Sequence, residues 1–377
     1  VEINSFLHQQ LNVRKLEGSY RELKFNPNLI DFSSNDYLGF ARNEDLKVKA
    51  HKILKDNEEL RRINGATGSR LISGHYPLYE IVERHLATFH KAESALVYNS
   101  GYDANLGFFS CIPQKGDTIL FDRLIHASVH DGIKMSKAQA MAFKHNDAKH
   151  LNELKAYVTG NVFVAIESVY SMDGDTAPLE TIVNVCSKNK WYLVVDEAHA
   201  LGVLGMKNQG LVDSDILSQA CFARIYTFGK ALGAHGAAIL GSKLMTDYLI
   251  NYSRPFIYTT ALPSDTLAHV LAAYQNLPLA VNETENLKEN IQHFQHLIQK
   301  HQFRTTISHS AIQCVLISGN ENVLKAAIQL QNRGFDVRAI RSPTVKKGAE
   351  RLRICLHSFN TKDEIQHLVT ALCELKL

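Results

Sequence analysis

Six short runs of apolar and β-branched residues recur through the middle of the chain: SALVYN (94–99), DTILFD (117–122), NVFVAIE (161–167), WYLVVDE (191–197), FARIYTF (222–228) and GAAILG (236–241). Each has the length and composition of a strand. NVFVAIE and WYLVVDE are almost continuously apolar, the pattern of strands covered on both faces. Between most of these runs the apolar positions fall three and four apart, as in LYEIVERHLATFH (78–90), ASVHDGIKMS (127–136) and LETIVNVCSKNK (179–190). That spacing predicts amphipathic helices. Strand and helix in alternation predict an α/β fold with a mostly parallel central sheet between helices.

The pattern then changes. A long helical stretch is expected over 262–301, and beyond it the segments read strand (312–318), helix (321–334), strand (335–340), strand (351–357) and helix (362–376). This tail predicts a smaller α+β unit. The chain is expected to divide into an N-terminal arm (1–40), a large α/β domain (41–280) and a C-terminal α+β domain (281–377). It shows no long internal repeat and no low-complexity segment.

Ligands of open α/β sheets bind at the carboxyl ends of the strands, and reactive residues gather there. Asp196 ends WYLVVD, with His199 three residues on. Glu167 ends NVFVAIE, with Ser171 following in SVYSMDGD. Thr227 and Lys230 follow FARIY, and Ser100, Gly101 and Tyr102 follow SALVYN where a helix is expected to begin. Lys230 stands among small residues, Gly229, Ala231, Gly233, Ala234 and Gly236. A solvated lysine needs no such clearing. A lysine that meets a flat ligand does, because glycine allows backbone and ligand to approach closely.

Each feature also has an ordinary structural explanation. Asp196 suits a helix cap, the Ser-Gly turn at 100–101 suits a strand-to-helix connection, and His126 in DRLIHAS is one of 18 histidines. Together, however, they match the needs of pyridoxal 5'-phosphate. That cofactor requires a lysine for an imine, a carboxylate to keep its ring nitrogen protonated, a phosphate cradle and a flat group over the ring. Lys230, Asp196, the 100–102 turn with Thr227, and His126 supply these in turn, the turn through the anion-binding capacity of a helix N-terminus.

Composition narrows the field without redirecting it. With 45% hydrophobic and 21% charged residues, the chain is an ordinary globular one. A net charge of +3 gives no reason to expect nucleic acid as a partner. The six cysteines form no C-x-x-C pair, so no metal site is expected, and they fit reduced thiols in a cytoplasmic protein. The N-terminal segment lacks a secretory h-region. No apolar run approaches the roughly 20 residues of a membrane span.

The ordered motifs FSSNDYLG (32–39), TGSRLISG (67–74), NSGYDAN (99–105), DRLIHAS (122–128), ESVYSMDGD (167–175), VDEAHALGVLG (195–205), TFGKALG (227–233), IYTTALP (257–263) and RLRICLH (351–357) resemble those of the α-oxoamine synthases, fold-type I pyridoxal-phosphate enzymes. The resemblance spans nearly the whole chain. It implies decarboxylative condensation of an amino acid with an acyl-CoA or a carrier-bound acyl group. Within the family the likeness is strongest to the member of biotin biosynthesis that joins L-alanine to a pimeloyl thioester. Siblings that take glycine or serine stay open, as does, remotely, a cofactor-dead structural subunit.

By the same resemblance, Lys230 is the covalent tether and proton-transferring base, Asp196 the partner of the ring nitrogen, and His199 the partner of the phenolic oxygen. His126 stacks on the ring, and Ser171, supported by Glu167, contacts the cofactor. Ser100, Gly101, Tyr102 and Thr227 hold the phosphate. Thr259 and Thr260 are lent to the partner's phosphate across a homodimer with shared active sites. Arg353, Asn35, Arg14 and Thr344 contact substrate. Two positions depart from the family pattern, Ala200 in DEAHA and Tyr79 in GHYPLYE. Both are candidates for substrate choice.

Overall fold

The computed structural model describes residues 3–23, 28–56 and 64–375. The last residue of the helix expected over 362–376 lies outside them. The chain forms two compact units. The first comprises Asp36–Tyr170 and Thr176–Thr284, the second Val1–Asn35, Ser171–Asp175 and Glu285–Leu377.

The strands in chain order are β1 (Ile30–Asp31), β2 (Ser94–Tyr98), β3 (Thr118–Asp122), β4 (Gln139–Phe143), β5 (Val162–Glu167), β6 (Tyr192–Asp196), β7 (Cys221–Thr227), β8 (Ala237–Gly241), β9 (Ile312–Leu316), β10 (Phe335–Asp336), β11 (Arg338–Ile340) and β12 (Arg351–Cys355). In the first unit a seven-stranded sheet has the order β2-β8-β7-β6-β5-β3-β4. The pairs β3–β4, β3–β5, β5–β6 and β6–β7 are parallel, while β8 runs antiparallel to both its neighbours. The sheet is mostly parallel, as the alternation of elements predicts.

Side chains alternate faces along a strand, and both faces are buried. Val162, Val164 and Ile166 of β5 with Leu193 and Val195 of β6 join one apolar cluster. Ala165 and Val194 join the other, with Ile119, Ile225 and Ile239. This double burial is why these runs carry so few polar residues.

Each of the six expected strands of the middle region forms, to within a residue or so at its ends. β4 is an edge strand not expected from the sequence. Three of its five residues are exposed and its sequence is QAMAF, so no buried face marks it. The helix expected over 262–301 is two helices, Ser264–Asn276 and Val281–Lys300, parted by a 3-10 turn at Leu277–Leu279. Pro278 lacks the N–H that an uninterrupted helix needs. The single strand expected over 335–340 is also divided. In the second unit, β10 pairs in parallel with β1, whereas β11 joins an antiparallel sheet of order β11-β12-β9. Among the described residues no helix is long and apolar enough to cross a membrane.

Candidate active site

The register of the first unit's sheet sets the geometry. Glu167 lies opposite Asp196, and Asp196 lies opposite Ile225, two residues before Thr227. Three strand ends thereby place their last side chains along one edge. Asp196 is only 6% exposed, and its carboxylate is held from two directions. Oδ1 accepts the Ala198 N–H at 2.9 Å and Oδ2 accepts the Asn105 amide at 2.8 Å. The first bond is the turn-capping role expected of an aspartate after a strand. The second, from the helix Gly101–Cys111, fixes the carboxylate's orientation. A carboxylate has acceptor capacity beyond two bonds, so Asp196 serves the turn and remains an oriented anion. Glu167 is buried beside it. His199 is buried too, and its Nδ1 shares a 2.8 Å hydrogen bond with the Tyr37 hydroxyl.

Lys230 lies in the turn between β7 and β8, half-buried, its carbonyl accepting the Gly233 N–H at 2.9 Å. Two of the glycines near it differ in what surrounds them. Gly233 has φ +60°, and a Cβ there would lie 2.2 Å from the Ala41 nitrogen. A Cβ at Gly229 would meet only the Ala234 carbonyl oxygen, at 3.6 Å. At Gly233, then, the clearing serves the chain's own backbone rather than a ligand.

His126 caps the helix Ala127–Met135, with Nδ1 taking the Ser128 N–H at 3.2 Å and lying 2.7 Å from the Ser128 hydroxyl. Burial pushes its pKa below the usual histidine value, the charge of Asp196 pulls it up, and that of Lys230 pushes it down. The residue is nevertheless exposed to solvent. The influence of both charges places His126, Asp196 and Lys230 in one neighbourhood.

The helix Gly101–Cys111 begins against β7. A Cβ on Gly101 would lie 2.4 Å from Thr227 Cγ2, so only glycine lets that threonine pack on the helix's first turn. The Ser100 hydroxyl is committed to Asp103, accepting its N–H at 3.1 Å and donating to its carboxylate at 2.9 Å. The Thr227 hydroxyl oxygen is buried and has no hydrogen-bond partner among the described residues. A buried hydroxyl without a partner is costly, and a helix N-terminus favours an anion. The pair therefore suits the phosphate of pyridoxal phosphate, and the residues present fit that group. The Tyr102 side chain is exposed and donates to Asp131, so only its backbone belongs to this turn. Thr259 and Thr260 are tied to the residue before Ser100, for Asn99 donates to the Thr259 hydroxyl at 3.1 Å and to the Thr260 carbonyl at 2.7 Å.

The second unit assembles its own group. Arg353 on β12 is 8% exposed and gives Nε to the Ser171 carbonyl at 2.8 Å, Nη2 to Asn35 Oδ1 at 3.0 Å and Nη1 to Cys355 Sγ at 3.0 Å. Asn35, Ser171 and Arg353 thus form one cluster. Arg14 and Thr344 lie outside it. Arg14 is exposed on the helix Ile3–Leu16, and Thr344 accepts from Arg21 at 3.3 Å.

Several supporting residues carry no role in the sequence reading. Asn105 orients Asp196, Tyr37 holds His199, Ser128 holds His126 and Asn99 holds Thr259. Asn105, Tyr37, Ser128 and Asn99 all fall inside motifs that the sequence marks, but nothing local says whom they touch. Of the two departures, Tyr79 is packed in the core, its hydroxyl accepting the Leu262 N–H at 2.7 Å, and Ala200 is fully buried.

A profile of the family described as aminotransferase class I and II matches residues 27–372. An 8-amino-7-oxononanoate synthase of Emericella nidulans is 39% identical over 387 residues, covering 96% of this chain and 93% of that protein. Among solved structures, an 8-amino-7-oxononanoate synthase from Francisella tularensis matches with TM-score 0.78 and 29% identity, covering 91% of this chain and 96% of that one. A variant serine palmitoyltransferase from S. paucimobilis, bound to a pyridoxal phosphate–myriocin aldimine, matches with TM-score 0.88 and 25% identity over 98% of this chain and 97% of that one.

Proposed function

The chain belongs to the aminotransferase class I and II family, and on that premise we propose that it is a pyridoxal-phosphate-dependent acyltransferase. Its reaction condenses L-alanine with a pimeloyl thioester, carried on CoA or a carrier protein. The products are 8-amino-7-oxononanoate, carbon dioxide and the free thiol, a step of biotin biosynthesis. The name of the 39% identical relative supports this choice of member. The observation that carries the cofactor is the orphaned Thr227 hydroxyl beside the N-terminus of the helix Gly101–Cys111, at the edge that also bears Asp196.

When bound, pyridoxal phosphate supplies the electron sink that lets a Cα–H bond break and a carbon–carbon bond form. The chain's own residues do the rest. Lys230 would hold the cofactor through Nζ and would serve as the base that moves the Cα proton. Asp196, oriented by Asn105, holds the proton on the ring nitrogen. His199, held by Tyr37, binds the phenolic oxygen. His126 stacks on the ring, and its lowered pKa keeps it neutral at neutral pH. The backbone of Gly101 and Tyr102, with Ser100 and Thr227, binds the phosphate, while Glu167 and Ser171 complete the cofactor contacts. Arg353, with Asn35 beside it, binds the amino acid's carboxylate, a task suited to a rigid guanidinium fork. Arg14 and Thr344 contact the substrate.

Thr259 and Thr260 serve the phosphate of a second copy, so the working form is a cytoplasmic homodimer with shared active sites. The chain is organised as an arm (1–40), a cofactor domain (41–280) and a C-terminal domain (281–377). A serine-using sibling is the second reading, favoured by the TM-score of 0.88 to serine palmitoyltransferase.

The test is the visible spectrum of the purified protein with pyridoxal phosphate, titrated with L-alanine, glycine and L-serine and then with pimeloyl-CoA or palmitoyl-CoA. An imine band perturbed best by L-alanine, with turnover on pimeloyl-CoA, is expected. A preference for L-serine and palmitoyl-CoA selects the second reading. Lys230→Ala is expected to abolish both band and turnover, and normal turnover by that variant would remove the lysine from the mechanism.

A further inference from the structure

β3 ends at Asp122, on the sheet edge where Glu167 and Asp196 end their own strands. β4 ends beside it, with Phe143 in register with Asp122. The pairing runs one bond further, the Arg123 N–H meeting the Phe143 carbonyl at 3.2 Å. The chain then turns at Asn146, which takes φ +53°, a left-handed conformation that asparagine tolerates. This turn brings His145 and Asn146 back onto Asp122.

Asp122 is fully buried. A buried carboxylate is costly unless donors meet it, and three do. Oδ1 accepts the Leu124 N–H at 2.9 Å and lies 2.9 Å from His145 Nδ1, while Oδ2 accepts the Asn146 N–H at 2.8 Å. Burial pushes its pKa up, and the bonds from His145, Asn146 and Leu124 outweigh this, so the group ends below the usual carboxylate value. A carboxylate only accepts, so Nδ1 of His145 carries the proton. The Asp122 carbonyl also accepts the Ile125 N–H at 3.0 Å. Leu124 is thus held by the Asp122 side chain and Ile125 by its main chain, and the next residue is His126.

An aspartate that caps its own turn accounts for the Leu124 bond alone. It does not account for an imidazole brought from 23 positions away. The same corner touches the segment that leads to Ser171. The His145 ring stands edge-on to Tyr170, with centroids 4.5 Å apart at 87°, and the Asn146 amide donates to the Thr176 carbonyl at 3.1 Å, at the Val169–Thr176 bridge.

We propose that Asp122 and His145 are positioning residues for His126. Their buried pair fixes the turn 122–125 and, through it, the plane of the His126 ring over the cofactor. The proposal rests on the reading of His126 as the group that stacks on pyridoxal phosphate.

The experiment uses the holoenzyme and two substitutions of His145. His145→Asn keeps a side-chain N–H near the place of Nδ1, and His145→Leu has none. Far-ultraviolet circular dichroism checks folding, and the imine absorbance checks that each variant is loaded. The main readout is the circular dichroism of the imine band itself, which a planar cofactor acquires from the groups packed on its faces. His145→Leu, fully loaded, is expected to lose most of that signal. Its kcat with the substrates that the wild type prefers is expected to fall at least about ten-fold, with little change in the KM for the amino acid. His145→Asn is expected to keep both. On a His126→Ala background, His145→Leu is expected to cause no further loss, because the two act through one ring. Should His145→Leu fail to fold, Asp122→Asn breaks the pair from the other side and takes its place. Unchanged ellipticity and kcat in His145→Leu, an equal loss in His145→Asn, or an undiminished loss on the His126→Ala background overturns the proposal. A wild type with no imine band removes the functional reading, and the proposal with it.

Discussion

Tyr37 and His199 stand 162 positions apart, yet their side chains meet at 2.8 Å in the interior. At the scale of single residues, the site depends on such pairings. An imidazole alone has two tautomers and a free rotation. A fixed phenol at Nδ1 removes both freedoms and sets what the other nitrogen presents. Removing that hydroxyl from a buried bond is expected to cost about 1–3 kcal/mol. Tyr37→Phe should therefore lower stability in urea unfolding by this amount and weaken retention of pyridoxal phosphate on dialysis. Unchanged stability and cofactor retention would mean that the phenol does not hold the imidazole.

Elements act through how closely they approach one another. The helix Gly101–Cys111 can start where it does because residue 101 carries no side chain against Thr227. Gly101→Ala would put a methyl 2.4 Å from Thr227 Cγ2, and either the helix or the threonine must shift. The shift is expected to separate the Thr227 hydroxyl from the helix N-terminus and to weaken cofactor binding at least about ten-fold, a cost of about 1.4 kcal/mol. Fluorescence titration of the apoenzyme measures it, and unaltered affinity would show that the two elements do not bind the phosphate jointly. At the same scale the sequence is least legible where an element has no buried face. β4 is mostly exposed and carries no alternation to read. The division of 335–340 between two sheets depends on partners, β1 and β12, far away in the chain.

Over the whole molecule, buried ionisable groups couple folding to pH. His90 is fully enclosed, stacked on Tyr226 at 3.9 Å and bonded to the Tyr274 hydroxyl at 3.1 Å. Burial, first, and the charge of Arg224 hold its pKa well below the ordinary histidine value of 6.5. The unfolded chain takes up a proton as pH falls through that ordinary value, and the folded protein does not. Stability from this group is thus present above 6.5 and is lost progressively as pH falls from there toward the folded value. Glu197 has the opposite sign. Burial raises it from 4.5 to about 7, so its ionisation costs stability as pH rises through that window. The gap in unfolding free energy between wild type and His90→Gln should therefore change with pH, the wild type losing more on acidification. Urea unfolding at about pH 5.5 and 7.5 measures this, and parallel losses in the two proteins would place the His90 proton elsewhere.

The sequence by itself determined the parts that depend on neighbours in the chain. Alternating apolar runs specified the strands and helices of the first unit, because burial on both faces leaves a continuous apolar signature. The position of Asp196, Glu167, Thr227 and Ser100 at element ends was equally legible, because a strand's end is marked by where its apolar run stops. Only the tertiary structure decided who meets whom. Asn105 reaches Asp196, Tyr37 reaches His199, and in the second unit Asn35 and Ser171 hold Arg353. The same holds for the small residues beside Lys230. The sequence shows that space is left there, but the backbone of Phe40 and Ala41 that occupies it at Gly233 comes from nearly two hundred residues earlier. Side-chain hydrogen bonds and van der Waals exclusion act over a few ångströms, and packing brings distant segments within that range.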